Sequence, residues 1–412
     1  MDKLPPLYRI TQLVEKGKIT SIEECLLAEL KAQGTAERLQ PGARVAIAVG
    51  SRGIAGLSLL VKTLVEWLKE QECRPLLLTA MGSHGEATAQ GQIAVLKSYG
   101  ITEEKIGAPI TASMDVVEIG RTSAGTSVYF NREALGCDAI ILLNRVKPHT
   151  TMQGPVQSGL MKMMAVGLGN REGAESMHRF GLERSVPDAA NIILKKTPVL
   201  FGVALLENAR KELYKISVIP AAQIPEKEKP LLREAQRILP LIPCDPVDVL
   251  LVRRMGKNIS GTGMDTNVVG RWRRIGGPVD RVIGRIGVFD LTDESKGNGL
   301  GVGMADCITS VLSSKIDIKV TRTNAQTSGW PEGARVPPVL RNEADVCRRL
   351  LQGFVEERVR LVLIESTMQL ETFWVSAALK EELAGASFIT AIDGPLKVDF
   401  DPAGNLILPE GK

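Results

Sequence analysis

The sequence predicts an α/β protein of two domains with mostly parallel sheets and its active site in the interdomain cleft. Three observations lead there. The chain has 412 residues, too many for one ordinary hydrophobic core. Short β-branched runs alternate with stretches of helical periodicity in both halves, the order that winds a parallel sheet. Between the two series the composition turns proline-rich, in IPAAQIPEKEKPLLREAQRILPLIPCDPVD over residues 219–248, which suggests an interdomain connection. We expect a first domain over residues 1–235, rejoined by the tail 390–412, and a second over residues 245–389.

In the first half, RVAIAV (Arg44 to Val49) reads as a strand broken by Gly50-Ser51-Arg52-Gly53, and LSLLVKTLVEWLKEQ as the helix after it. PLLLTA, the loop MGSHGEAT and the helix AQGQIAVLKSYG repeat that order, the last ending on a glycine suited to a helix C-terminus. DAIILLN then feeds the loop RVKPHTT. Arg52, His84 and His149 each follow the end of such a strand, the edge where a doubly wound sheet gathers its ligands. In the second half VDVLLV, IGRIGVFDL, KIDIKVT and VRLVLIE read as strands, and MADCITSVLSSK and FWVSAALKEEL as helices.

Composition excludes several classes. Fifty-one basic against 47 acidic residues leave a formal net charge of +4, with no basic block interleaved with aromatics, so no nucleic-acid partner is expected. No apolar run reaches the roughly 18 to 20 residues of a spanning helix, so no membrane partner is expected. The six cysteines (Cys25, Cys73, Cys137, Cys244, Cys307, Cys347) include no CxxC pair and read as small buried hydrophobes in a reducing cytoplasm. Walker A, HExxH and GxSxG patterns are absent, which argues against P-loop phosphotransfer, zincin proteolysis and the common serine hydrolases.

Chemistry concentrates in NRVKPHTTMQGPVQSGLMKMMAVGLGNREGAESMH, Asn144 to His178. The chain has three histidines, and all lie in backbone-shaping contexts: GSHGEAT, KPHTT and SMHRFG. Imidazole suits acid–base work near neutral pH, and its neutral form binds metals. Lys162 sits in an apolar LMKMM run. Either its stem snorkels along the methionines, or it serves as an activated or covalently attached amine. Gly167-Leu168-Gly169-Asn170-Arg171-Glu172-Gly173 is one residue too long for a dinucleotide fingerprint. It still allows backbone N–H groups to approach a phosphate at the start of a helix over residues 172–180. In the second half MGKNISGTGMDTNVVGRWRR offers Lys257, Asn258, Ser260, Asp265, Asn267, Arg271 and Arg273. LTDESKGNGLGVGMAD is a second glycine-rich loop; both are either solvated surface or loops that close over a ligand.

Order and spacing resemble the nickel-dependent lactate racemase family. An arginine after an early strand, a histidine after the next, a second histidine before a lysine and a third after it match Arg52, His84, His149, Lys162 and His178. His84 lies 32 residues after Arg52, and His178 lies 16 after Lys162. His149 precedes Lys162 by 13, a longer interval than the family's. The resemblance implies a nickel-pincer nucleotide, pyridinium-3,5-bisthiocarboxylic acid mononucleotide with nickel, linked covalently to Lys162. It implies His178 as the protein's nickel ligand, and His84 and His149 as paired acid–base residues on opposite faces of the substrate. Arg52 would orient the substrate carboxylate, and Ser51, Gly167 and Gly169 would line the cofactor.

The implied reaction inverts C2 of a 2-hydroxy acid. A carbanion beside a carboxylate is very unstable, so a histidine removes the hydroxyl proton while the C2 hydrogen leaves as hydride to the cofactor. A 2-oxo acid results, and the return step needs a proton donor on the other face. The implied partners are a small 2-hydroxy acid and the machinery that matures the cofactor; the sequence leaves the oligomeric state open.

Two departures stand out. The family's Asp-x-Thr-Arg is Val49-Gly50-Ser51-Arg52 here, without the aspartate. In the second half Gly263-Met264-Asp265-Thr266-Asn267 resembles the family's loop, but Arg271 and Arg273 stand where glutamine and lysine are expected. With Lys257, these arginines are candidates for the substrate's far end; the substrate is expected to be lactate-like, or a longer acid that is polyhydroxylated or bears a second carboxylate. Two alternatives remain: a tri-histidine zinc site in a hydrolase, and a non-catalytic, cofactor-binding homologue.

Overall fold

The computed structural model describes residues 4–270 and 281–408. Arg271 and Arg273 therefore lie outside the described residues. The chain divides into two compact units, Glu15–Leu239, and Pro240–Lys412 together with Met1–Val14. It opens with strand β1 (Leu7–Gln12), which belongs to the second of these.

In the unit Glu15–Leu239, β2 (Arg44–Val49), β3 (Arg74–Thr79) and β4 (Ile110–Thr111) come first. An antiparallel hairpin follows, β5 (Val116–Arg121) with β6 (Ser127–Asn131). After it come β7 (Ala139–Arg145), β8 (Val199–Glu207) and β9 (Leu213–Pro220). Six of these strands form one sheet in the order β4-β3-β2-β7-β8-β9, parallel throughout apart from the β8–β9 pair.

The sheet is covered on both faces, which explains why β2 reads as a nearly continuous apolar run. Its Val45, Ile47 and Val49 pack with Leu60, Leu64 and Leu68 of the helix Leu57–Glu70. Ala46 and Ala48 face the other core, with Leu142, Met163, Met164 and Val186. Leu60, Leu64 and Leu68 are all fully buried, each contributing about 1.5–3 kcal/mol of transfer free energy. Chain order reverses at β2, which has β3 on one side and β7 on the other. A doubly wound sheet opens a crevice at the carboxyl edge of such a strand.

In the second unit, strands β10 (Val247–Met255), β11 (Ile283–Leu291), β12 (Cys307–Thr309), β13 (Val339–Leu340), β14 (Leu361–Ile364), β15 (Thr372–Ser376) and β16 (Ile389–Leu396) join β1. Their order is β13-β12-β11-β10-β14-β15-β1-β16. The first five are parallel, and β15, β1 and β16 are antiparallel additions.

Four sequence expectations give way here. The tail expected to rejoin the first domain stays in the second unit, where β16 pairs with β1 from Leu7↔Leu396 to Gln12↔Ile389. KIDIKVT alternates like a strand but is helical from Ile318, because Asp317 caps the helix Ile318–Thr327 by accepting the N–H groups of Lys319 and Val320. Cap chemistry prevailed over a two-residue alternation. MADCITSVLSSK splits into β12 and the helix Ser310–Lys315. FWVSAALKEEL splits likewise: Phe373 and Val375 are buried in β15, and only Ala377–Leu383 is helix.

All six cysteines are free thiols. Among the described residues no helix is long and apolar enough to cross a membrane.

Candidate functional site

The carboxyl ends of β3, β2 and β7, three neighbouring strands, carry His84, Arg52 and His149. The loop after β3 turns back on itself. The His84 backbone N–H donates to the Met81 carbonyl at 3.1 Å, and ring Nδ1 lies 3.0 Å from the same oxygen. A carbonyl only accepts, so Nδ1 carries the hydrogen and Nε2 the lone pair. Gln92, fully buried on the helix Ala89–Ser98, donates to the carbonyls of Gly82 at 3.1 Å and His84 at 3.4 Å. Gly91 must be glycine, since a Cβ there would lie 2.0 Å from the Gly85 carbonyl oxygen. Glu86 and Ala87 take left-handed backbone conformations, φ 59° and 53°, which cost strain and collect at functional loops. His84 itself is exposed.

The loop after β7 is zipped to the segment leading into Lys162. Asn144 Nδ2 donates to the Gly159 carbonyl at 2.7 Å, Lys147 N–H to Ser158 at 3.0 Å, and His149 N–H to Gln157 Oε1 at 2.6 Å. Lys162 closes the turn Leu160–Lys162, which runs into a π-helical turn, Met163–Gly167, with Leu168 N–H bonded to the Met163 carbonyl at 2.8 Å. Such turns are rare and recur at functional sites.

Lys162 Nζ lies 2.5 Å from His149 Nε2. The other ring nitrogen of His149 accepts the Thr151 backbone N–H at 3.1 Å, so a neutral ring carries its hydrogen on Nε2. That hydrogen is shared with Nζ only if the amine is unprotonated and accepts it. Electrostatics agree. Burial, reinforced by Arg52 and Lys147, lowers the half-buried Lys162 amine to about 7. Burial also lowers His149 well below the usual histidine range, with Lys162, Lys147, His178 and Arg52 adding repulsion. A cluster of like charges next to a desolvated amine favours the neutral form of both groups.

His178 is exposed in the last turn of the helix Asn170–Arg179. Its Nδ1 lies 2.6 Å from the Ala174 carbonyl, which assigns the ring hydrogen to Nδ1 and leaves Nε2 as the nitrogen with a lone pair, the tautomer of a metal-ligating histidine. The structure thus brings Arg52, His149, Lys162 and His178 into one electrostatic neighbourhood. His84 enters by strand adjacency.

The other expected residues fare differently. Ser51 presents its carbonyl to the Tyr99 hydroxyl at 2.9 Å. Gly167 and Gly169 are packing glycines: a Cβ on Gly167 would lie 2.6 Å from the Ala80 carbonyl oxygen, and one on Gly169 2.8 Å from the Gly173 Cα. Their missing side chains make room for the protein itself. In the second unit, Lys257 Nζ donates to the Gly261 carbonyl at 2.5 Å and to Asn324 Oδ1 at 2.8 Å. Asp265 caps the short helix Thr266–Val269 through the Asn267 N–H.

Sequence reasoning missed Lys147, Gln92, Gln157 and Glu228. Lys147 was visible in KPHTT; the glutamines and Glu228 act on backbone groups that only the fold brings near. Among the described residues no group of three or more His, Cys, Asp or Glu side chains is placed to hold a metal ion. The three histidines of the zinc alternative do not form such a group there.

Residues 8–186 match the lactate racemase N-terminal domain. No curated protein matches the chain. A crystal structure of a Thermotoga maritima protein is similar over 87% of this chain and 99% of that one, with 13% identity and a TM-score of 0.51. The lactate racemase apoprotein from Thermoanaerobacterium thermosaccharolyticum is similar over 88% of this chain and 89% of its own, at 12% identity and a TM-score of 0.49. At 13% identity the likeness to the Thermotoga maritima protein is one of fold alone.

Proposed function

From the match of residues 8–186 to the lactate racemase N-terminal domain, we propose that the chain is lactate racemase-like and is a racemase or epimerase acting at C2 of a 2-hydroxy acid. We further propose that it works with a nickel-pincer nucleotide tethered to Lys162. The contact between Lys162 Nζ and His149 Nε2 carries this reading. A snorkelling lysine seeks water and stays protonated; this one is biased toward the free amine, the state in which nitrogen forms an acyl or thioacyl bond.

The donor set fits the group: Lys162 as tether, and His178 Nε2 as nickel ligand. When bound, the cofactor supplies an acceptor for the C2 hydrogen with its electron pair. The chain supplies the rest. Arg52, exposed at the end of β2, binds the substrate carboxylate as a fixed cation. His84, with its lone pair on Nε2, takes the hydroxyl proton from one face. His149 serves the other face, and its depressed proton affinity suits a group that rests neutral. Two imidazoles on opposite faces let the same site run in both directions. The substrate class is a lactate-like acid or a longer polyhydroxy acid. The free cysteines suit a reducing cytoplasm.

Chiral analysis of single enantiomers of 2-hydroxy acids, incubated with the loaded protein, tests this. The expected result is conversion toward an equal mixture, or an epimeric equilibrium for sugar acids. His84→Ala should abolish turnover and retain nickel, while His178→Ala should lose nickel. Loss of metal from His84→Ala would contradict the assigned roles.

A further inference from the structure

Glu228 is the one charged residue among the fully buried described side chains, 2% exposed. It belongs to the helix Ile224–Ile238, and its Oε2 accepts the N–H groups of Leu160 at 2.5 Å and Met161 at 3.2 Å. These are among the N–H groups that a helical start leaves without an internal partner, on the turn that ends at Lys162. The site is built for a carboxylate: a Cβ on Gly159 would fall 2.6–2.7 Å from all three carboxyl atoms. The second oxygen, Oε1, is buried without a hydrogen-bond partner. Keeping an ion there is costly to the fold, and burial raises the carboxyl to about 7 although both backbone bonds pull the other way. Costly buried groups are kept where geometry matters more than stability.

What the carboxylate holds is the junction of the site. Gly159, which precedes Leu160, accepts from Asn144 at the end of β7, while Ser158 and Gln157 bind the Lys147 and His149 backbone. Fixing the start of the turn therefore fixes Lys162 and the His149 loop together.

We propose that Glu228 is a positioning residue that anchors the Lys162 turn through Oε2 and so keeps Nζ against His149. This rests on the reading of Lys162 as the site's working nitrogen. The test uses the full, cofactor-free chain, so it reads independently of whether the cofactor assignment holds. Lys162 is acetylated with limiting acetic anhydride across a pH series and quantified by peptide mass against surface lysines, and each variant's melting temperature is measured in parallel.

Glu228→Met, similar in length but without an acceptor, should lower relative Lys162 labelling at pH 7 at least about threefold, equivalent to half a pH unit of midpoint. Glu228→Gln, whose carbonyl oxygen accepts both N–H groups, should restore the native profile. Gly159→Ala, which presses on the carboxyl from the other side, should shift the profile as Glu228→Met does and stands in if that variant fails to fold. A folded Glu228→Met or Gly159→Ala protein with a native Lys162 profile and only a lowered melting temperature would overturn the proposal. So would a Gln variant shifted as far as Met.

Discussion

Replacing Lys162 with methionine should stabilise the cofactor-free protein at acid pH and lose that advantage as pH rises. The amine falls from 10.5 to about 7 on folding, mainly through burial and then through Arg52 and Lys147. A displacement of that size corresponds to about 5 kcal/mol against the native state below pH 7, shrinking to nothing as pH rises from 7 to 10.5. The side chain is only half-buried, and methionine forfeits the bond to His149. Solvent screening and roughly 1 kcal/mol for that bond reduce the expected gain to about 2–3 kcal/mol near pH 6. The sign follows from proton counts. Between about 7 and 10.5 the unfolded state binds more protons, so native stability rises with pH there, and it is lost as pH falls through 7. The methionine variant lacks that slope, so its advantage should vanish toward pH 10. Urea unfolding of both proteins across this range, following the transition of the unit Glu15–Leu239, measures it. A difference independent of pH, or a variant less stable at pH 6, would refute the claim that Lys162 is held as a neutral amine.

Acetylating Lys162 should raise the proton affinity of His149, because Lys162 is the strongest of the charges depressing it; burial and Lys147 remain, so the value should stay below the ordinary histidine range. Imidazole NMR titration of the unmodified and acetylated proteins checks this, and an unchanged or lowered midpoint would contradict the pairing. Gly167→Ala should cost about 1–3 kcal/mol, since its Cβ would press on the Ala80 carbonyl and the Gly167 carbonyl accepts the Gly82 N–H at 3.0 Å. Thermal melting reads the loss, and a neutral effect would return that glycine to the role of cofactor contact.

Much of the fold was legible because the decisive strands bury both faces. β2, β3, β7, β10, β11 and β14 are apolar runs whose identity does not depend on partners. Errors fell where a single polar atom decides. The Asp317 side chain turned KIDIKVT into a helix start, and the pairing of β16 with β1 joins ends of the chain that no local pattern connects. At the site, the placement of Arg52, His84 and His149 past strand ends could be read from the sequence, because loops after parallel strands share an edge. The Lys162–His149 contact was not visible as a distance, only as two residues in one polar-to-apolar stretch. Glu228 was invisible: it lies 68 residues from the N–H group it holds and resembles any glutamate in a charged helix. For Gly167 and Gly169 the close packing was equally hidden, since spacing cannot tell a glycine that admits a ligand from one that admits a neighbouring backbone.

The proposed tether for the cofactor is Lys162. The mass of the peptide containing Lys162, from protein made alongside the pincer-synthesis machinery, tests it most directly. A sulfur-containing, nucleotide-sized adduct on Lys162, absent from Lys162→Met, is the predicted result. An unmodified Lys162, with the same machinery loading a control racemase, would contradict the claim.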